Sequence, residues 1–129
     1  MYEVGVSARF EAAHSLRGDF GQATRLHGHT YRVDVTAEGP ALRDDGTLCD
    51  ISRLQSTVGE IAGCLHYRNL DEVDELRGLN TTAESLARHF FDQVAAAMAG
   101  QAVEWVRVRL WESPDAYADS QSQIGRAHV

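Results

Sequence analysis

The sequence predicts an α+β domain of β-β-α-α-β-β order, with two helices on one face of an antiparallel sheet. Three observations predict it. Apolar and polar residues alternate with a period of two at both ends of the chain. Two intervening stretches carry apolar residues at helical spacing. Three histidines, His14, His27 and His29, share the apolar parity of the first two alternating stretches.

Taken in order, Val4, Val6, Ala8, Phe10, Ala12 and His14 alternate with Glu3, Gly5, Ser7, Arg9 and Glu11, which reads as a half-buried strand. Ser15–Leu26, with Gly18 and Gly21, reads as a loop. His27, His29, Tyr31, Val33 and Val35 then alternate with Gly28, Thr30, Arg32, Asp34 and Thr36, a second strand. Antiparallel pairing brings the histidine ends of these two strands together. Gly39-Pro40 and Asp44-Asp45-Gly46 are turn signals. Asp50 is a candidate helix N-cap, followed by Ile51, Leu54, Val58, Ile61, Ala62 and Leu65 at helical spacing. His66–Asn80 reads as a polar connection. Thr81-Thr82-Ala83-Glu84 has the form of a capping box with Thr81 as N-cap. Leu86, Phe90, Phe91, Val94, Ala95 and Met98 form the stripe of a second helix ended by Gly100. Val103–Glu112 returns to period two, and Ala116–Gln121 forms a last short strand. Residues 1–121 are expected to form one domain, and 122–129 a loose tail.

The 129 residues suffice for one domain with its own core. With 12 basic and 19 acidic residues, the net charge of −7 argues against a nucleic-acid partner or an anionic membrane surface. No apolar run approaches the roughly 20 residues of a membrane span. Met1–Phe10 lacks the pattern of a signal peptide. Cys49 and Cys64 form no disulfide framework, which fits a reducing compartment. The expected location is the cytoplasm.

His27-Gly28-His29 places two imidazoles on one side of an extended strand, and His14 arrives from the strand expected to pair with it. Three neutral imidazoles with a fourth position open describe a catalytic zinc site. Two surface histidines spaced by one residue explain the motif alone equally well. Glu112 continues the parity of Val106, Val108 and Leu110. A carboxylate on a core-facing line needs a partner. That partner is an internal arginine, a helix N-terminus, or a ligand offering two adjacent N–H groups. Alternatively the strand ends before Glu112 and the acid is solvated.

Five segments together resemble the 6-pyruvoyl-tetrahydropterin synthase and 6-carboxytetrahydropterin synthase family. They are Phe10-Glu11-Ala12-Ala13-His14, Leu26-His27-Gly28-His29, Gly46-Thr47-Leu48-Cys49-Asp50-Ile51, Asn80-Thr81-Thr82-Ala83-Glu84 and Leu110-Trp111-Glu112-Ser113-Pro114. The resemblance implies a T-fold, four antiparallel strands with two helices on one face, assembling as trimers that stack into a homo-hexamer. It implies Zn2+ on His14, His27 and His29. It implies that Glu112 anchors the amino-pyrimidine edge of a pterin-like substrate, with Thr81 and Thr82 nearby. The implied activity is lyase or synthase chemistry on the side chain of 7,8-dihydroneopterin triphosphate or a related dihydropterin.

The chain departs from the family at its proton-handling positions. The family's cysteine, four residues before the first histidine of the pair, is here Ala23. Its Asp-His pair, in Leu-Asp-His-x-Asn-Leu, is here His66-Tyr67 within Leu65-His66-Tyr67-Arg68-Asn69-Leu70. His66, whose residue type titrates near pH ~6.5, is therefore the leading acid–base candidate, with Tyr67 as its partner. Asp19 is a weaker candidate. Cys49 and Cys64 are expected to pack as small apolar residues, and His89 and His128 to take no part. The favoured expectation is a zinc-dependent dihydropterin lyase with altered acid–base residues. The alternatives are a standard synthase and a non-catalytic pterin-binding protein.

Overall fold

The computed structural model describes residues 1–125. Its elements are β1 (Tyr2–His14), β2 (His27–Gly39), α1 (Ile51–Leu65), β3 (Arg68–Asn69), α2 (Ala83–Met98), β4 (Trp105–Ser113) and β5 (Ala116–Gln123). They form a five-stranded sheet in the order β3-β1-β2-β4-β5. The four long strands are antiparallel, as expected. The fifth strand, β3, is a correction: two residues pair parallel to β1 at Ala12 and Ala13. The connection around it is also less polar than expected. It holds two short 3-10 turns, Leu70–Glu72 and Asp74–Leu76, and buries Leu70, Val73 and Leu76. Strand β5 runs to Gln123, so Ser122 and Gln123 belong to the sheet; residues 126–129, with His128, lie outside the described residues.

Strand parity decides which side of the sheet is dry. Val6, Phe10 and Ala12 of β1, Tyr31, Val33 and Val35 of β2, and Val106, Val108 and Leu110 of β4 are all buried. The helices cover this face with Leu54, Val58, Ile61 and Leu65 of α1 and Leu86, Phe90, Val94 and Met98 of α2. Phe10 joins the layers, stacking on Tyr31 at 4.8 Å and on Phe90 at 5.8 Å between ring centroids. The other face of the sheet is polar and laced by side-chain bonds. Trp111 Nε1 donates to Asp34 Oδ2 at 2.9 Å, and Arg109 grips Asp119 through Nε at 2.8 Å and a second nitrogen at 3.0 Å.

Asp50 caps α1 as expected, accepting the N–H groups of Ser52 at 3.0 Å and Arg53 at 3.2 Å. The cap of α2 falls one residue later than expected. Thr82, not Thr81, accepts the Ser85 N–H at 3.1 Å, so the expected box between Thr81 and Glu84 does not form. The Thr81 hydroxyl is engaged elsewhere, donating to Asp71 at 2.8 Å.

Gly39 ends β2 where the chain segment before β4 passes closest. A Cβ there would stand 2.7 Å from Leu48 Cδ1 and press on the Ala102 carbonyl oxygen. Backbone cannot yield as a flexible side chain does, so overpacking at this site is costly. Gly59, inside α1, has nothing within 4 Å of an added Cβ. In urea denaturation, Gly39→Ala should lower stability by about 1–3 kcal/mol. Gly59→Ala should raise it by about 0.5–1 kcal/mol, because alanine is the better helix former.

Candidate metal centre

The β1–β2 register sets His14 opposite His27 and Ala12 opposite His29. Residues directly opposite in an antiparallel pair share a face, and i and i+2 share it too. All three imidazoles therefore converge at one end of the dry face. Their ring centroids lie 4.6 Å (His14–His27), 5.1 Å (His14–His29) and 4.9 Å (His27–His29) apart. One ligand nitrogen from each ring falls within 4.8 Å of the other two, the one such cluster of three among the described residues.

The donor set fits zinc by its chemistry. His14 Nδ1 donates to the Thr81 carbonyl at 2.8 Å, and His27 Nδ1 donates to the Arg25 carbonyl at 2.7 Å. Each bond fixes the tautomer and leaves Nε2 as the acceptor nitrogen, the usual arrangement behind metal-bound histidine; at His14 the Tyr31 hydroxyl lies 3.5 Å from that nitrogen. His14 is 1% exposed. Burial holds its pKa below the ordinary imidazole value, and repulsion from His27 and His29 acts the same way. The Thr81 carbonyl and Glu112 oppose this in part. A neutral ring is the form that binds metal.

Glu112 sits half-buried in β4, and its charge favours the protonated forms of His14 and of the buried Tyr31 hydroxyl. Of the three expected substrate contacts, Glu112 alone is uncommitted among the described side-chain bonds. The Thr82 hydroxyl caps α2. Thr81 is 0% exposed and stands behind His14 rather than on an open surface. Sequence reading missed Asp71, which bonds Thr81, and Asn80, which clamps the loop after His14. Asn80 Oδ1 accepts the Arg17 N–H at 2.8 Å, and its Nδ2 donates to the Arg17 carbonyl at 2.9 Å. The Asn80-Thr81-Thr82 run was a visible signal, but the partners it would find were not.

His66 and Tyr67 lie at the outer edge of β1, not against the triad. His66 Nδ1 accepts the Glu11 N–H at 3.1 Å, and the Tyr67 N–H donates to the Glu11 carbonyl at 2.6 Å. The two rings stack at 3.8 Å. Tyr67 is 77% exposed and takes a φ of 58°, unusual for so bulky a residue. A cavity of about 540 Å³ is lined by Tyr67, Glu11, Arg68 and Asn69 and also by His29, so Tyr67 and one histidine of the triad line the same space. Ala23 is half-buried in the 3-10 turn Gly21–Thr24, and Asp19 is exposed in the loop before it. Cys49 is buried as expected. Cys64 is a correction: it faces outward from α1 and is exposed, because its helical position misses the Ile61–Leu65 stripe. His89 is half-buried on α2 with Gln93 at 3.0 Å, away from the triad.

Fold and site together define the class: an α+β T-fold domain with a three-histidine candidate metal centre at one end of its sheet. The sequence model of the 6-pyruvoyl tetrahydropterin synthase family matches residues 3–123, and the chain belongs to that family. The 6-carboxy-5,6,7,8-tetrahydropterin synthase of Haemophilus influenzae is 27% identical over 143 residues, spanning 94% of this chain and 99% of that protein. A relative in Pyrococcus horikoshii is 31% identical over 133 residues, spanning 85% of this chain and 83% of its own. Among solved structures, the 6-pyruvoyl tetrahydropterin synthase of Caenorhabditis elegans superposes with a TM-score of 0.79 at 21% identity, over 94% of this chain and 95% of that one. That likeness supports the fold.

His14 and His89 are both held below the ordinary histidine pKa in the folded chain, chiefly by burial. In the unfolded chain both protonate near pH ~6.5. The stability they contribute is therefore complete above that value and lost as pH falls through the folded pKa. The urea midpoint of the metal-free protein should fall between pH 7.5 and pH 5, and the fall should shrink in His14→Gln.

Proposed function

We propose that the chain is a zinc-dependent lyase acting on the side chain of a dihydropterin, 7,8-dihydroneopterin triphosphate or a close relative. The observation that carries this reading is the convergence of three imidazoles, two of them with Nδ1 tied to backbone carbonyls. Bound there, zinc would polarise the side-chain oxygens of the substrate and hold them in place. Glu112 would accept two parallel N–H bonds from the amino-pyrimidine edge, a charge-assisted pair that fixes the ring. The tight packing of His14 against the core keeps water from one side of the centre.

Proton transfer falls to His66 and Tyr67 in this reading. With Nδ1 accepting from Glu11, the neutral His66 ring carries its proton on Nε2 and enters as a donor. Tyr67 offers a second hydroxyl donor over the cavity it shares with His29. The expected assembly is a homo-hexamer in the cytoplasm. No helix of the described residues is long and apolar enough to cross a membrane. A standard synthase is the second reading, favoured by the name of the Haemophilus influenzae relative that spans nearly the whole chain.

The test is turnover of 7,8-dihydroneopterin triphosphate, and of its dephosphorylated form, by zinc-loaded protein. Consumption should be followed by pterin absorbance and by the released phosphate chain. Glu112→Ala should lower kcat/KM about a hundredfold, as expected for two bonds to a charged group at roughly 1.5 kcal/mol each. His66→Ala should lower kcat by about a hundredfold or more. If neither compound is consumed, the lyase reading fails. If the standard product forms at full rate in His66→Ala, the second reading replaces the first.

A further inference from the structure

We infer that Asp71 is a positioning residue for the metal centre, acting through Thr81 on the His14 ring; this rests on the reading of the three histidines as a zinc site. His14 Nδ1 donates to the Thr81 carbonyl at 2.8 Å. The Thr81 hydroxyl lies 3.3 Å from the same nitrogen and donates to Asp71 Oδ1 at 2.8 Å. The second carboxylate oxygen, Oδ2, accepts the N–H of Ser15 at 2.8 Å. Ser15 is the residue that follows His14 in the chain.

One carboxylate thus holds the ligand from two sides. It ties down the backbone leaving His14, and it fixes the residue whose carbonyl orients the His14 ring. Asp71 is itself held, its N–H donating to Asn69 Oδ1 at 3.0 Å at the start of the Leu70–Glu72 turn. Thr81 is fully buried, so its hydroxyl has no water to replace Asp71. A carboxylate relayed to the far nitrogen of a metal-bound imidazole fixes its orientation and raises its basicity. A tie between two loops would do neither. That difference is measurable.

The experiment compares the full chain with Asp71→Asn, Thr81→Val, the double variant and Thr82→Ala. Zinc affinity is read by competition with a chromophoric chelator, the visible absorption of the cobalt(II) form reports ligand geometry, and the thermal midpoint of the metal-free protein reports stability. Asp71→Asn and Thr81→Val should each weaken zinc binding about tenfold and shift the cobalt spectrum. The double variant should lose no more than about the same tenfold, because both changes cut one chain of bonds. Thr82→Ala, which removes only the cap of α2, should lower the midpoint and leave zinc affinity unchanged. Wild-type affinity in both single variants would overturn the inference, and so would a loss in Thr82→Ala as large as theirs. Failure of the wild-type chain to bind zinc would instead overturn the metal site, and this inference with it.

Discussion

The pairing of His14 with His27 across β1 and β2 is the constraint on which the rest of the structure depends. A slip of one residue would carry His14 to the polar face and dissolve the triad, since side chains in a strand alternate. What holds the register is burial. Phe10 is packed between Tyr31 and Phe90, and the same parity that sends these rings into the core sends the histidines to its end. The histidine triad is therefore an extension of the hydrophobic core rather than a separate loop-built cluster. This is why His14 is both buried and tied in place.

The helical layer completes the site from behind. The start of α2 carries two adjacent threonines with different duties. Thr82 satisfies the helix end through Ser85, and Thr81 turns its carbonyl to His14 and its hydroxyl to Asp71. Asn80 meanwhile closes the loop that leaves His14 by bonding both backbone groups of Arg17. Three consecutive residues thus fix a helix, one histidine of the triad and a loop. By contrast, His66 and Tyr67 are fixed on Glu11 at the sheet edge, and of the two Tyr67 alone shares a cavity with His29 of the triad. Three fixed imidazoles thus stand at the core end of the sheet, and an exposed tyrosine with a φ of 58° stands at its edge.

Much of this was legible in the sequence, because period-two alternation names both the strands and their dry faces. The four long strands, both helices, the Asp50 cap and the meeting of His14 with His27 and His29 all follow from parity and spacing. Parity could not show that the β4–β5 register shifts between Trp111 and Ser113, at Glu112 itself. What was not legible depends on partners distant in sequence. Arg68–Asn69 is too short to show any period, and it becomes a strand only because the edge of β1 offers it bonds. Nothing local separates Thr81 from Thr82 as the cap of α2; Asp71 decides between them by taking the Thr81 hydroxyl. Cys64 looked like a small core residue from composition alone, yet its place on the helical wheel turns it outward.

The central claim, an open zinc centre made of three histidines from two paired strands, is tested most directly by zinc K-edge X-ray absorption on the metal-loaded protein. It should show three imidazole nitrogens at about 2.0–2.1 Å and one further oxygen ligand, without sulfur. A zinc–sulfur shell near about 2.3 Å, or a spectrum unchanged in His27→Ala, would contradict it.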